Sequence, residues 1–539
     1  MNLMTDAWIP AVRQDGTQCK ISPWQICETE NPVVGFNVPR ADFNGAFYQY
    51  FIGLLQKEFA PEDDEAWIQS WEEPIAAQDF QERICSQQFK SCFELFNEEG
   101  PSFLQDLELR EGDSKPAPIS GLLIESPGGN ALKNNTDLFV KRGGVNCLCG
   151  SCTAIALFTL QTNAPSGGSG HRVGLRGGGP LTSLALPNDS AMSLYHQLWL
   201  NVLPQEDFQP EDEKKDSIFP WMAKTRISDK AANNTQPEDV HSLQMYWGMP
   251  RRIRLVKSTR SGDCSLCGNS NEQLFDYYIT NKHGVNYEGP WVHPLTPYSD
   301  EKKGEPPLTV KGKQGGLSYR DWLGLSLATT RNRKEMIPAK VVQRLQERAN
   351  AYKEIRETGI RLWCFGFDMD NAKARCWYDS QIPFIKIGEK DRAVVIQLVS
   401  QLISLAEDTE RLLQSKVKAA WFERPKDAKG DCSMIGRNFW KQTEESFRNH
   451  LDSLVDSAGR TNTLPPETAK KWVEFLSRTA VSQFDYWVLE GDLKEQCMKR
   501  IFTKRKELRL QIKKGKAFKE FWNLASLVKQ DQIEQEVAS

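Results

Sequence analysis

Long apolar runs are missing from this 539-residue chain. No stretch of roughly 18 apolar residues occurs, so no membrane-spanning helix is expected. The start, Met1-Asn2-Leu3-Met4-Thr5-Asp6, lacks a basic segment followed by an apolar one, and no secretory signal is expected there. An excess of one charge is missing too: 68 Lys and Arg stand against 71 Asp and Glu, a formal net charge of −3. This excludes a uniformly basic nucleic-acid binder and leaves room for a local basic patch. Histidine is scarce. The six in the chain form no HExxH pattern and no triad with a Ser or Cys motif. No paired-carboxylate signature stands out. Bulk disorder is excluded by what is present, 39% hydrophobic and 26% charged residues.

The chain changes texture near residue 390. Before it, strand-like and helical patterns mix with Gly-, Pro- and Ser-rich stretches. Trp8 to Val12 followed by Asp15-Gly16 reads as a strand and a turn. Asp42 to Phe59 reads as a helix, because Phe43, Phe47, Phe51 and Leu54 recur at helical spacing. After it, glycine becomes rare and long helical patterns follow one another: around Val394–Leu405, Phe439–Leu454, Ala469–Phe484 and Leu493–Leu527. The expected fold is α+β. A large mixed domain with a structural zinc site covers 1–385, and a C-terminal four-helix bundle covers 386–539. Within the bundle, Lys494–Lys519 holds 11 basic residues against two acidic ones, Glu495 and Glu507. This basic helix, through Lys504, Arg505, Lys513 and Lys514, is a candidate face for phosphates; the alternative is a solvated helix surface.

Thirteen cysteines is an odd number, and with no secretory signal expected the compartment is a reducing one, the cytoplasm. Clustered cysteines then read as metal ligands, not bridges. Cys149-Gly-Ser-Cys152 and Cys264-Ser-Leu-Cys267 are both C-x2-C pairs. Two such pairs can supply four thiolates to a tetrahedral zinc, a closed shell suited to structure and not to catalysis. Cys147 is a fifth candidate, and reduced structural thiols are the alternative. The Gly-rich stretch Pro165–Gly179 is not a Walker A loop, since no Gly-Lys-Ser/Thr follows. With Arg172 and Arg176 it permits close backbone approach to a phosphate or a groove. Asn281-Lys282-His283-Gly284 lies just past the second cysteine pair.

Together these residues resemble the large-subunit (CasA) family of the type I-E CRISPR surveillance complex Cascade. The resemblance rests on Asn2 to Pro10, Cys149 to Phe158, Gly174 to Gly178, Cys264 to Gly268 and Trp291-Val-His-Pro294, in that order along the chain. It implies a non-catalytic subunit of an RNA-guided complex. Such a subunit recognises the protospacer-adjacent motif (PAM) of duplex DNA from the minor groove. It wedges the duplex open to start R-loop formation and helps recruit a separate nuclease-helicase. The partners implied are target duplex DNA, the guide RNA 5′ handle, other Cascade subunits and the nuclease-helicase.

The resemblance also implies residue roles. The structural zinc falls on Cys149, Cys152, Cys264 and Cys267. The PAM-contacting glycine loop falls on Ser166, Gly167, Gly168 and Ser169, and the minor-groove lysine on Lys282. The wedge falls on Asp370, Asn371 and Lys373, with Asn371 where relatives carry Gln. A loop meeting the guide RNA handle and neighbouring subunits falls on Phe139, Val140 and Lys141. The basic helix would then hold the displaced strand. The competing class is a metal-dependent nuclease or other hydrolase; a weaker third is a purely structural scaffold.

Overall fold

The computed structural model describes the chain apart from residues 138–139, 169, 209–217, 231–232, 271, 301–304, 332–333, 371–372, 428–429, 459, 461, 491–496 and 539, with the backbone alone at 331, 334 and 529–538. By its internal contacts the chain divides into two compact units. The first joins Met1–Gln314 to Thr330–Phe384, and the second joins Gly315–Thr329 to Ile385–Ser539.

Ten strands matter for the first unit: β1 (Ile9–Arg13), β2 (Gln18–Ile21), β3 (Val33–Phe36), β4 (Ala117–Pro118), β5 (Leu148–Cys149), β6 (Thr182–Pro187), β7 (Arg252–Gly262), β8 (Glu272–Asn281), β9 (Ile360–Asp370) and β10 (Lys373–Pro383). They build three separate antiparallel sheets. One has the order β2-β1-β3, the second pairs β4, β5 and β7 with β8, and the third has the order β10-β9-β6. Two helices sit between them. The helix α1 (Ala41–Glu58) is buried on nearly every side, because apolar and aromatic residues run around its whole circumference. Tyr50 at its middle meets Trp8, Phe93, Phe103, Phe158 and Trp247 edge-on, which makes it the hub of the aromatic core. The helix α2 (Gly150–Asn163) packs on α1 and starts directly from the first cysteine pair.

The second unit contains α3 (Arg392–Trp421), α4 (Ser433–Ser457), α5 (Pro466–Leu489), α6 (Met498–Lys514) and α7 (Lys516–Ala538). On α3 the buried positions Val395, Leu398, Leu402, Leu405, Thr409, Leu413 and Val417 repeat every three or four residues, one stripe facing the core. The described residues thus form five long helices where the sequence suggested four. The pattern spanning Leu493–Leu527 is two helices, broken at Gly515. Its backbone there is extended (φ −65°, ψ 147°), and α7 turns back to pack along α5. Glycine is a poor helix former, and the apolar spacing carries straight on past it, which hides the break from periodicity alone.

The segment Gly315–Thr329 also departs from the sequence reading, which left it in the first domain. Tyr319 stacks on Phe447 at 4.3 Å, edges onto Trp440 and Trp472, and shares a 2.9 Å hydrogen bond with Thr443. Its apolar residues complete the helical core, a long-range pairing that no local pattern announces.

Candidate metal centre and nucleic-acid interface

The two cysteine pairs converge from different elements. Cys149 ends β5 and caps α2, where the Cys152 N–H donates to its Sγ at 3.5 Å. Cys264 and Cys267 lie in the turn between β7 and β8. The β5–β8 pairing, Cys149 opposite Leu274, carries the first pair alongside that turn. The Cys149 N–H donates to Cys264 Sγ at 3.3 Å. All four Sγ atoms lie within 4.8 Å of one another, and the Cys149 and Cys267 sulfurs are 3.7 Å apart. A tetrahedral zinc with bonds of about 2.3 Å spaces its sulfurs by about 3.8 Å. The donor set and its spacing therefore fit a soft divalent cation. A shell of four sulfurs also leaves no open position for a reacting water.

Protons are shared unequally within the cluster. The contact with Cys149 raises the Cys152 thiol, whereas contacts with Cys149 and then Cys152 hold Cys267 down at about 7. A bound cation takes the place of the remaining protons, so metal affinity falls as pH falls. Nearby, Lys20 pairs with Glu272. Burial works against that ammonium, but Glu272 and the Cys149 and Cys267 sulfurs outweigh it and raise its pKa. Cys147 stands apart from the four: its Sγ lies 3.4 Å from the Asp263 carbonyl and 3.4 Å from Ser265 Oγ. Among the described residues no other group of three or more His, Cys, Asp or Glu could hold a metal ion.

The Gly-rich loop and Lys282 meet, although more than a hundred residues separate them in sequence. The His283 N–H donates to Gly170 O at 2.7 Å. Gly170 has φ +83°, and a Cβ there would lie 3.0 Å from Lys282 Cβ. The loop closes on itself through Gly167 N–H to His171 O at 3.2 Å and His171 N–H to Gly168 O at 3.1 Å. Arg251 donates to the Pro165 carbonyl at its base. The Lys282 side is held by Ser228, whose hydroxyl donates to Gly284 O at 2.5 Å. Gly284 itself is irreplaceable there, since a Cβ would sit 2.0 Å from Pro250 O. The result is a presented loop, Ser166 to Gly168, beside an exposed Lys282. Ser169, expected in the same loop, lies outside the described residues.

This corner is electropositive. Burial lowers the His171 pKa first, and Arg251, Lys282 and His283 lower it further, so the imidazole stays neutral among cations. Arg251 is itself pushed down to about 10 by burial. It is the residue that sequence reading missed. The only signal is a Pro-Arg-Arg run before a strand, which usually marks a solvated pair. The arginines singled out from the sequence have other work. Arg176 is 5% exposed and donates to Thr182 at 3.1 Å, to Thr296 at 2.9 Å and to Gln49. Arg172 donates to Ser228 Oγ at 2.7 Å and to the Ser228 carbonyl. Both are tied to residues distant in sequence.

Behind the loop, Lys311 donates to Arg176 O at 2.6 Å. Burial first, then Arg176, lowers its pKa from 10.5 to about 8. The unfolded chain therefore binds the extra proton between about pH 8 and 10.5, and stability rises with pH across that window. Lys311→Met is expected to remove this rise, read as a flatter dependence of the thermal midpoint on pH from 8 to 10 than wild type gives.

The third candidate, the hairpin of β9 and β10, runs eleven residues on each side and pairs Asp370 with Lys373 next to its tip. Asn371 lies outside the described residues. Arg375 holds this end together: it grips buried Asp368 through two hydrogen bonds of 2.8 and 2.9 Å and reaches Asp370 at 3.5 Å. The hairpin adjoins the end of the Gly-rich stretch, for a Cβ on Gly179 would lie 2.7 Å from Met369 Cγ. Arg375→Ala is expected to cost about 1–2 kcal/mol locally, because a charge-assisted pair is lost from a half-exposed site. Faster amide exchange confined to β9 and β10 would register it; unchanged exchange would deny Arg375 this role.

Of the remaining candidates, Phe139 lies outside the described residues. Val140 and Lys141 border a cavity of about 730 Å³ that also touches Arg40, Glu125, Tyr278 and Ser265 of the second cysteine turn. On α6, Lys504 pairs with Glu507 at 2.8 Å and Arg505 grips Asp485 at 2.6 Å, whereas Lys513 and Lys514 are exposed at the helix end. No described helix is long and apolar enough to cross a membrane.

Comparison with solved structures places this fold among known ones. The chain is similar to Thermus thermophilus CasA (Cse1), with 17% identity and a TM-score of 0.67, covering 94% of this chain and 99% of that one. Thermobifida fusca Cse1 gives 14% identity and a TM-score of 0.66, covering 97% and 98%. A chain of a CRISPR RNA-guided surveillance complex gives 15% and 0.66, covering 95% and 99%. At such identities the likeness is one of fold. The sequence itself goes further: the family model described as CRISPR-associated protein Cse1 matches residues 2–483, and the chain belongs to that family.

Proposed function

We propose that this chain is the PAM-reading large subunit of a type I-E Cascade complex. Family membership makes it a non-catalytic Cascade subunit, which removes the hydrolase alternative. The observation that carries the recognition reading is the hydrogen bond from His283 N–H to Gly170 O, which sets Lys282 beside the loop Ser166–Gly168. The minor groove separates A·T from G·C and little else, so reading there yields a degenerate motif. A small-residue loop lets backbone enter a narrow groove. Lys282 donates to acceptors on base edges and accepts from none. The tip between Asp370 and Lys373 enters beneath the motif and unstacks the first pair, at a cost of a few kcal/mol that later guide pairing offsets.

The other parts of the proposal come from the family resemblance. Four thiolates on a structural zinc hold the β7–β8 turn against the start of α2, and β8 leads straight to Lys282. Val140 and Lys141, with Phe139, meet the 5′ handle of the guide RNA and a neighbouring subunit, and the nuclease-helicase is recruited once the duplex is open. The test is duplex binding by a guide-loaded complex, with and without this chain, on two targets that differ only in the PAM. The chain should create the discrimination between them. Equal binding to both targets in its presence would overturn the reading.

A further inference from the structure

One arginine of the first unit carries a charge that nothing around it balances, and PAM reading does not use it. Arg176 is buried, yet among the described residues it enters no ion pair; its side chain donates to two hydroxyls and a carboxamide. The groups that favour its charge are the phenols Tyr298 and Tyr246, not carboxylates. Burial, the larger effect, lowers its pKa to about 10. Lys311 donates to the Arg176 carbonyl at 2.6 Å, so a second half-buried cation lies close by. A buried charge without a counter-charge is costly, which is why buried charges are ordinarily paired.

The arginine borders a cavity of about 20 Å³, which Gln49 of α1, Gln161 and Thr162 of α2, Tyr246 and His293 also line. That is room for one particle of about the size of water. The side-chain groups around it with capacity to spare can all donate. Three of the five guanidinium hydrogens go to Thr182, Thr296 and Gln49, which leaves two. Tyr246 is 6% exposed, and among the described residues its hydroxyl has no partner. His293 is 3% exposed, and its Nδ1 accepts the Leu295 N–H at 3.1 Å. Burial first, then Arg176, keeps this imidazole neutral, so its proton sits on Nε2 and makes that nitrogen a donor as well. The carboxamide oxygens are already taken. Gln49 Oε1 receives Arg176 and Thr182, and Gln161 Oε1 receives the Arg251 N–H at 2.9 Å. Asp207, the carboxylate that acts on Tyr246, is held by Arg344 at 2.7 Å and Lys340 at 3.1 Å.

We infer that this cavity binds a small monovalent anion such as chloride, held by the Arg176 guanidinium, the Tyr246 hydroxyl and the His293 Nε2–H. Donors converging on one cation suit an anion. A water molecule needs acceptors for its own two hydrogens, and it would leave the guanidinium charge unbalanced. A phosphate or carboxylate has more atoms than the space admits. The ion would also steady the Gly-rich stretch. Arg176 stands between Gly174, where a Cβ would lie 2.8 Å from Thr162 O, and Gly177 at φ +75°. Anchoring its side chain therefore fixes the turn that follows the presented loop Ser166–Gly168.

Two measurements on the full chain test this. In the first, thermal midpoints are recorded along a chloride series with gluconate holding the ionic strength constant. The wild-type midpoint should rise by about 3 °C or more across the series, since an ion bound only by the folded state stabilises it. Tyr246→Phe keeps the ring and drops only an unpartnered hydroxyl, so it should fold. Its rise should set in at about tenfold more chloride, because one hydrogen bond to a charged group is lost. In the second, crystals grown without chloride are soaked in bromide, and an anomalous peak is expected between Arg176, Tyr246 and His293. No chloride-specific rise in wild type, the same chloride response in Tyr246→Phe, or a cavity without bromide would each overturn the inference. Failure of PAM reading is separable, since it is scored on duplex targets alone.

Discussion

Replacing Cys264 with serine is expected to strip the bound metal and loosen the first unit. Metal content, read by emission spectroscopy on purified protein, should fall from about one per chain to near zero. Cys264 is the sulfur that receives the Cys149 N–H at 3.3 Å, so it joins the two halves of the cluster directly. Structural zinc contributes roughly 10–16 kcal/mol of apparent binding in small finger peptides. Here a large aromatic core remains, so the expected loss is a fraction of that, several kcal/mol, with a thermal midpoint lower by roughly 5–10 °C. Cys147→Ser is the matched control. Its sulfur faces Asp263 O and Ser265 and not the cluster, so its metal content should equal wild type. Retained metal in Cys264→Ser would remove the four-thiolate assignment.

Lys282→Ala is expected to weaken binding of the PAM-bearing target by about ten- to a hundredfold, with assembly of the complex unchanged. A good contact to a base edge is worth about 1–3 kcal/mol of discrimination. Lys282 is exposed, and its backbone position is secured independently by the His283–Gly170 and Ser228–Gly284 hydrogen bonds. Truncating the side chain therefore removes the donor while those two hydrogen bonds remain. Gly170→Val tests the same geometry from the other side. It forces a side chain onto a residue at φ +83°, within 3.0 Å of Lys282 Cβ, and should cost as much while leaving the ammonium in place. Binding assays on targets with and without the PAM decide both. Equal loss on the two targets would mean a general phosphate contact in place of motif reading.

The Lys282 case explains which parts of the protein were legible early. Helical character after residue 390 announced itself, because helix formation and burial of one stripe are set by residues three and four apart. The two C-x2-C pairs were legible for a similar reason: a two-residue spacer turns both sulfurs one way wherever the chain goes. Gly515 escaped because the apolar spacing continues across it, and only the return of α7 along α5 reveals the break. Gly315–Thr329 escaped because Tyr319 finds its partners more than a hundred residues away.

Charged residues divide most sharply. Composition located the basic run of α6 but not its free members. Spacing of i to i+3 allowed Lys504 to meet Glu507, whereas the Arg505–Asp485 pair needed α5 alongside. Arg176 and Arg172 stand in a Gly-rich loop read as open to close backbone approach, and Gln49, Thr296 and Ser228, all distant in sequence, claim their side chains.

By itself, then, the sequence determined the element types, the identity of the four thiols and the family, all of which rest on short-range spacing and residue chemistry. Tertiary structure decided that Cys147 stays out of the cluster, that Lys282 stands beside Gly170, and which cations of α6 are held in ion pairs. Those outcomes depend on which surfaces meet when the chain closes. Burial and competing hydrogen bonds then assign each polar group to a partner that its own neighbours in sequence cannot name.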